Sequence, residues 1–227
     1  MDINVQIGDL VLYKNNQLIA FNKPAGLAVQ PDKTKDKSLL ALAEIYGKSK
    51  IQLLHRIDRP ASGIVLFAKT QRATQSLNQQ LQERTVKKTY LAVVKNKPSE
   101  SNGTLIHFLK KLSKSKKSIA VEEGTAGAKR AELEYQVLAS SEQYHLLEIA
   151  LKTGRFHQIR AQLAAIDCPI KGDVKYGFRR SNNDRSIHLH AWKMTFQHPV
   201  TKQPENLTAP LPEDNLWQAF SDQLEKK

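Results

Sequence analysis

The sequence predicts an α+β fold, a largely antiparallel mixed sheet with flanking helices, in a single domain spanning residues 1–227. Two observations predict it. Segments of strand character and segments of helical spacing are mixed along the chain without strict βαβ alternation. In addition, no repeat, low-complexity tract or Pro/Gly linker divides the 227 residues, whose 40% hydrophobic content suffices for a sizeable core.

Asp9 to Tyr13 and Gln17 to Phe21 read as short strands. Ser38 is a helix N-cap ahead of Leu39, Leu42, Ala43 and Tyr46, and Gly47 suits the C-terminal end. The unbroken apolar run Ile64 to Ala68 has the pattern of a buried strand, whereas Ala73, Leu77 and Leu81 fall on one helical stripe. Thr89 to Val94 is a strand, and Ala131 to Leu138 with Tyr144 to Leu151 reads as a hairpin pair. The Lys-rich stretch Lys110 to Lys117 reads as an exposed excursion. Helical spacing returns at Ile159, Leu163 and Ile166, a strand follows at Ile187 to Phe196, and Leu216, Phe220 and Leu224 form a closing helix entered near Asp214.

One cysteine, Cys168, excludes an internal disulfide framework and a multi-thiolate zinc site, which fits a reducing cytoplasm. The start, MDINVQIGDLVLYKNNQ, has neither a signal-peptide core nor a membrane span, so the expected location is cytoplasmic, with no membrane partner. Thirty-five Lys and Arg against 22 Asp and Glu give a formal +13 and a pI near 9.7. That charge favours a polyanionic partner, with a merely solubilising cationic surface as the alternative.

The densest motif is HRIDRPASGIVLFAK, His55 to Lys69, which places the carboxylate of Asp58 between Arg56 and Arg59 in a polar loop ending at Gly63. Read locally, Asp-Arg-Pro is also an ordinary turn. Before it stands FNKPAGLAVQPD, in which Lys23 and Pro24 enter a turn completed by Gly26. After it come KKTYLAVV from Lys87 to Val94, LKTGRFHQIRAQLAAIDCPIKGDVKYG from Leu151 to Gly177, and HLHAWKMTFQHPVT from His188 to Thr201. His157 and Arg160 are spaced to share one face of a helix beginning at Phe156. His188, His190 and His198 lack companion ligands at zinc-like spacing and read as strand side chains, so no metal is expected.

In order and approximate spacing these segments resemble the RluA-type RNA pseudouridine synthase family over nearly the whole chain. Ile57 stands for the usual Leu, and Ala61 where the family often has Thr. The resemblance implies a pseudouridine synthase-like catalytic domain with a central RNA-binding cleft and no S4-type extension. It implies Asp58 as the catalytic carboxylate, Tyr90 as the ring stacked on the target base, and Arg160 as the partner of the catalytic Asp. Arg56, Arg155, His157, Lys87 and Lys88 would contact RNA, together with the Lys110 to Lys117 run, Arg179 and Arg180. Uridine isomerisation has no net redox change, so no cofactor is expected. The expected partner is a structured tRNA or rRNA, and the expected state a monomer. The missing extension and the Arg59-Pro60 pair favour tRNA.

Two rival readings remain. A catalytically silent basic RNA-binding protein of the same fold would be marked by loss of Asp58, Tyr90 or Arg160, and all three are present. A glycoside hydrolase would need a second positioned carboxylic acid, where the motifs supply arginines.

Overall fold

A computed structural model describes residues 6–32 and 36–224, with side chains through residue 221. Residues 1–5 of the N-terminal pattern and the Leu224 side chain lie outside the described residues. A 3-10 turn, Ile7–Leu10, precedes β1 (Val11–Lys14), so the first strand starts later than its alternating pattern predicts. β2 (Leu18–Lys23) leads to α1 (Leu39–Gly47), where the Ser38 side chain accepts the Ala41 N–H as an N-cap. The helix ends at Gly47, as expected, and Lys48 caps it in the left-handed region (φ 48°), its N–H closing onto the Glu44 and Ile45 carbonyls.

β3 (Gln52–Leu53) and β4 (Ser62–Ala68) follow, and every residue of β4 is buried, as its unbroken apolar run requires. α2 (Gln71–Gln82), capped by Thr70, buries Ala73 and Leu77 on its expected stripe. β5 (Lys87–Val94) precedes β6 (Asn102–Leu112) and β7 (Lys117–Val121). These two strands give the expected exposed excursion its form: Lys110, Lys111 and Lys117 lie on an antiparallel hairpin whose exposed turn is residues 113–116. β8 (Ala128–Ser140) and β9 (His145–Leu151) form the expected hairpin. Then come α3 (Gln158–Ala165), β10 (Leu189–Gln197), β11 (Pro204–Thr208), which carries no apolar pattern, and α4 (Asn215–Leu224).

The chain forms two compact units, residues 1–88 with 191–212 and residues 89–190 with 213–227. In the first, β2 pairs antiparallel with β1 and β4, from Leu18 opposite Ala68 to Lys23 opposite Gly63. Leu18, Ile64, Leu66, Leu77, Met194 and Phe196 form its core, and full burial of one such side chain contributes roughly 1.5–3 kcal/mol. In the second, an antiparallel sheet runs β5-β9-β8-β6-β7. Leu109, Ala131 and Ala161 lie between sheet and α3, with Tyr176 packed against them. This is the α+β, largely antiparallel architecture that the mixed element order predicts. Among the described residues no helix is long and apolar enough to cross a membrane.

Candidate active site

Asp58 sits half-buried in the loop before β4, in the first unit. Its own carbonyl accepts the Ala61 N–H at 3.1 Å, closing a turn for which a backbone N–H is sufficient. Ala61 is 1% exposed, so the methyl in the position of the family's Thr is packed. The next residue ties the loop down: the Gly26 N–H donates to the Arg59 carbonyl at 2.8 Å, and Arg59 Nε returns a bond to the Gly26 carbonyl at 2.7 Å. Arg59 also pairs with Asp32 and Asp36, all three side chains being more than a third exposed. Exposed pairs contribute about 0–1 kcal/mol each, so the backbone bonds to Gly26 are the firmer anchor.

Lys23 is fully buried, and its ammonium donates to the carbonyls of Pro24 (2.9 Å), Leu27 (2.8 Å) and Arg59 (3.2 Å). Three donors meet three acceptors, which is the condition for burying a charge. Burial pushes its pKa down to about 7, against the attraction of the Asp58 carboxylate and with the repulsion of Arg59. Reading the sequence assigned Lys23 only to a turn; in the structure it joins that turn to the Asp58 loop.

His55 opens the same loop. Its Nε2 accepts the Leu66 N–H at 3.1 Å, which fixes the neutral ring with hydrogen on Nδ1. Burial, with repulsion from Lys88 second, holds its pKa down near 3. His55 is therefore a structural strut at neutral pH. At the loop's other end Gly63 has φ +110°, and an added Cβ would come within 2.3 Å of the Ala191 carbonyl oxygen. Only glycine lets β4 start there.

The second unit carries Tyr90 and Arg160. Tyr90 lies on β5 opposite Ile149 and is 8% exposed. Arg160 on α3 is 4% exposed and makes a bidentate pair with Asp173, Nε to Oδ2 at 2.6 Å and Nη2 to Oδ1 at 2.8 Å. Asp173 belongs to the Gly-Asp step of the Leu151 to Gly177 segment. Tyr176, from the same block, holds its ring 4.9 Å from the Arg160 guanidinium, and its hydroxyl accepts the Ser118 N–H and meets His157 Nδ1 at 2.9 Å.

His157 corrects an expectation. It is the N-cap of α3, in the left-handed region at φ 51°, and the helix starts only at Gln158. His157 and Arg160 therefore share no helix face; both meet Tyr176 instead, His157 at its hydroxyl and Arg160 over its ring. Phe156 stacks on His157 with centroids 3.8 Å apart and receives Lys111 at 4.8 Å. The Ser118 hydroxyl bonds the Phe156 carbonyl at 2.6 Å, which pins the β6–β7 hairpin to this turn.

Of the remaining candidates, Arg56 and Lys87 are exposed, while Lys88 is half-buried with its pKa lowered by burial. Arg155 is half-buried and spends Nε on the Arg130 carbonyl at 3.0 Å. The Lys175 pKa is lowered by burial and then by repulsion from Arg160, Lys117 and Lys116, against the attraction of Asp173. His188 and His190 both face the Trp217 ring, as a period of two dictates, and His198 accepts the N–H groups of Val200 and Thr201.

A family model described as RNA pseudouridylate synthase matches residues 17–165. The uncharacterised RNA pseudouridine synthase YlyB of Bacillus subtilis is 34% identical over 224 residues, covering 94% of this chain and 73% of that protein. Ribosomal large subunit pseudouridine synthase C of Vibrio vulnificus is 34% identical over 220 residues, covering 92% of this chain and 67% of its own length. The human RNA pseudouridylate synthase domain containing 4 superimposes with a TM-score of 0.75 at 26% identity, over 97% of this chain and 94% of that one. The chain therefore belongs to the RNA pseudouridylate synthase family, in its RluA-type branch, and is an isomerase that acts on RNA.

Proposed function

We propose that the chain, as one catalytic domain, isomerises uridine to pseudouridine through the carboxylate of Asp58. The observation that carries this reading is the fixed backbone around Asp58: Lys23 and Gly26 both bind the Arg59 carbonyl, and the Asp58 carbonyl closes its own turn. A carboxylate held on such a loop can attack or stabilise glycosidic carbon without reorganising. In the reaction the N1–C1′ bond breaks, the uracil turns, a C5–C1′ bond forms, and the C5 proton leaves while N1 gains one. Nothing is gained from or lost to an external reactant.

The target base must leave its stack, at a cost of roughly a few kcal/mol. Tyr90 is assigned to stack on that base, which offsets on the order of 1–3 kcal/mol, and its phenol to serve the C5 proton transfer. Arg160, oriented by Asp173, is assigned as the cation that favours the ionised form of the catalytic carboxylate. Arg56, Lys87, Lys88, Arg155 and His157 are assigned to RNA, with Arg155 and Lys88 restricted by the burial described above.

The substrate proposed is a uridine of large-subunit ribosomal RNA, supported by the names of two relatives, synthase C of Vibrio vulnificus and synthase D of Nitrosomonas europaea. The tRNA alternative drew on Arg59-Pro60. That pair carries little weight for the choice, since the Arg59 guanidinium is engaged by Gly26, Asp32 and Asp36.

The test is Asp58→Asn in a tritium-release assay on unmodified ribosomal and tRNA transcripts. Product formation is expected to vanish while RNA affinity stays within about twofold, because few phosphate contacts are lost. Substantial product from the purified variant would sink the assignment of Asp58. Modification of tRNA alone would sink the ribosomal substrate and leave the chemistry standing.

A further inference from the structure

The second unit contains a cavity of about 400 Å³ whose lining includes Lys95, Lys171, Arg179 and Arg180, with Tyr144 and Phe178 as aromatic walls. No carboxylate lines it among the described residues. We infer that this cavity is a second RNA subsite that takes a backbone phosphate of the strand flanking the target uridine. The inference rests on the proposal that the substrate is an RNA strand.

Position separates the cavity from the site assigned to Tyr90. Lys95 lies five residues beyond Tyr90 along the extended β5 direction, roughly 16 Å at the rise of a strand. A single nucleoside does not fill both places. The two are nonetheless built on one piece of chain. The loop 170–178 sends Lys171 and Phe178 to the cavity and Asp173 and Tyr176 to α3, and the Phe178 N–H donates to the Asp173 carbonyl at 3.1 Å.

Lys171 is the built part of the subsite. Its N–H donates to the Val93 carbonyl at 2.8 Å, its carbonyl accepts the His188 N–H at 3.0 Å, and its ammonium donates to Asn182 Oδ1 at 2.6 Å. Asn182 is itself wedged against Gly172, where an added Cβ would come within 2.8 Å of the amide. Backbone and head group are thus both oriented before any ligand arrives. Burial lowers the Lys171 pKa, against the attraction of Asp214 and Asp184.

Lys95, Arg179 and Arg180 are exposed at the rim. Four cations around one concavity repel one another, and a polyanion relieves that repulsion while releasing its counterions. An ordinary solvated surface gives no reason for cations to converge on a concave, aromatic-walled floor with a pre-oriented lysine. A phosphodiester, which has no sequence information, fits a subsite that positions a strand and does not read it.

The experiment uses the full chain and an unmodified transcript of large-subunit ribosomal RNA. Arg179→Gln with Arg180→Gln removes two exposed rim charges, and Lys50→Gln with Lys202→Gln removes two exposed charges in the other unit as a control. Each phosphate contact on single-stranded RNA adds about 0.7 to the log–log salt slope. The rim variant should therefore lose about 1.4 from that slope and bind roughly 25-fold more weakly at ~0.1 M salt. The control should bind within about twofold of the unaltered chain. A rim variant with unaltered affinity and slope, or a control that loses as much, overturns the subsite. Absence of pseudouridine from the unaltered chain, with RNA still bound, would instead overturn the proposed reaction, and the salt slopes would still decide the subsite.

Discussion

Lys23 Nζ donates to the backbone carbonyl of Arg59 at 3.2 Å, linking the first glycine-bearing turn to the loop that presents Asp58. Its other two protons go to Pro24 and Leu27, so the buried ammonium holds three carbonyls. Lys23→Met keeps the stem and removes the donor from the Pro24 and Leu27 carbonyls, while the Arg59 carbonyl keeps the Gly26 N–H. An orphaned buried polar group costs about 1–3 kcal/mol, so urea unfolding should show a loss on the order of 3 kcal/mol. Pseudouridine formation should fall far more than RNA affinity does. A variant of normal stability and turnover would remove Lys23 from the Asp58 loop's support.

The same lysine predicts opposite pH trends for activity and stability. Its pKa in the fold is near 7, against an ordinary value of 10.5. Above about pH 7 the amine keeps two N–H donors for three carbonyls and no longer balances Asp58, so turnover should decline on an alkaline limb. Stability moves the other way: between about 7 and 10.5 the unfolded chain binds the proton that the folded chain has shed, so this group's contribution rises with pH. The check is a pH profile of single-turnover rate beside one of unfolding free energy, each compared with Lys23→Met. An alkaline limb of the same position in the variant would assign it elsewhere.

Gly63 is the sharpest steric point near the site. Gly63→Ala meets both a backbone conformation that L side chains rarely adopt and the Ala191 carbonyl oxygen at 2.3 Å. Gly124→Ala has a similar φ, +86°, with nothing within 4 Å, and isolates the strain alone. Such strain costs of order 1–3 kcal/mol. Thermal unfolding should drop for Gly124→Ala by roughly 2–4 °C per kcal/mol, and clearly further for Gly63→Ala, with loss of activity confined to the latter. Equal drops would mean that β4 shifts to absorb the methyl.

What the sequence conveyed depended on where burial is strong. β4 and α2 were legible because Ile64 to Ala68 is buried on both faces and Ala73 and Leu77 lie on one stripe. The β6–β7 hairpin was not, since most of its residues are at least partly exposed and its strands are held by main-chain bonds, including those to β8. Chain-order motifs mark Asp58, Tyr90 and Arg160, but not the groups that hold Arg160 and the Asp58 loop. Asp173 and Lys23 acquire partners through contacts that local spacing does not encode, 13 and 36 residues away. The His157 backbone is a further case: a positive φ at a non-glycine residue is set by the Tyr176 and Phe156 packing around it, and a helical-spacing argument cannot see it.

The Arg160–Asp173 pair allows stability and chemistry to be separated. Both side chains are buried, 4% and 2% exposed, and their two hydrogen bonds are in fork geometry. Breaking a buried pair from one side costs about 3–5 kcal/mol, because an uncompensated charge remains. Asp173→Asn should lose stability on that scale, with Tyr176 left to support the guanidinium through its ring face at 4.9 Å. Replacing both partners by apolar residues, Arg160→Met with Asp173→Leu, should recover much of the loss, since well-packed apolar substitutes for buried pairs are often neutral. That double variant lacks the cation assigned to the reacting carboxylate, so it should fold, bind RNA and form no pseudouridine. The comparison needs urea unfolding, filter binding and tritium release on the same three proteins. Substantial product from a stable double variant would make the pair a structural clamp and remove Arg160 from the proposed chemistry, whereas a stable, RNA-binding and inactive one is the outcome expected from the role assigned to Arg160.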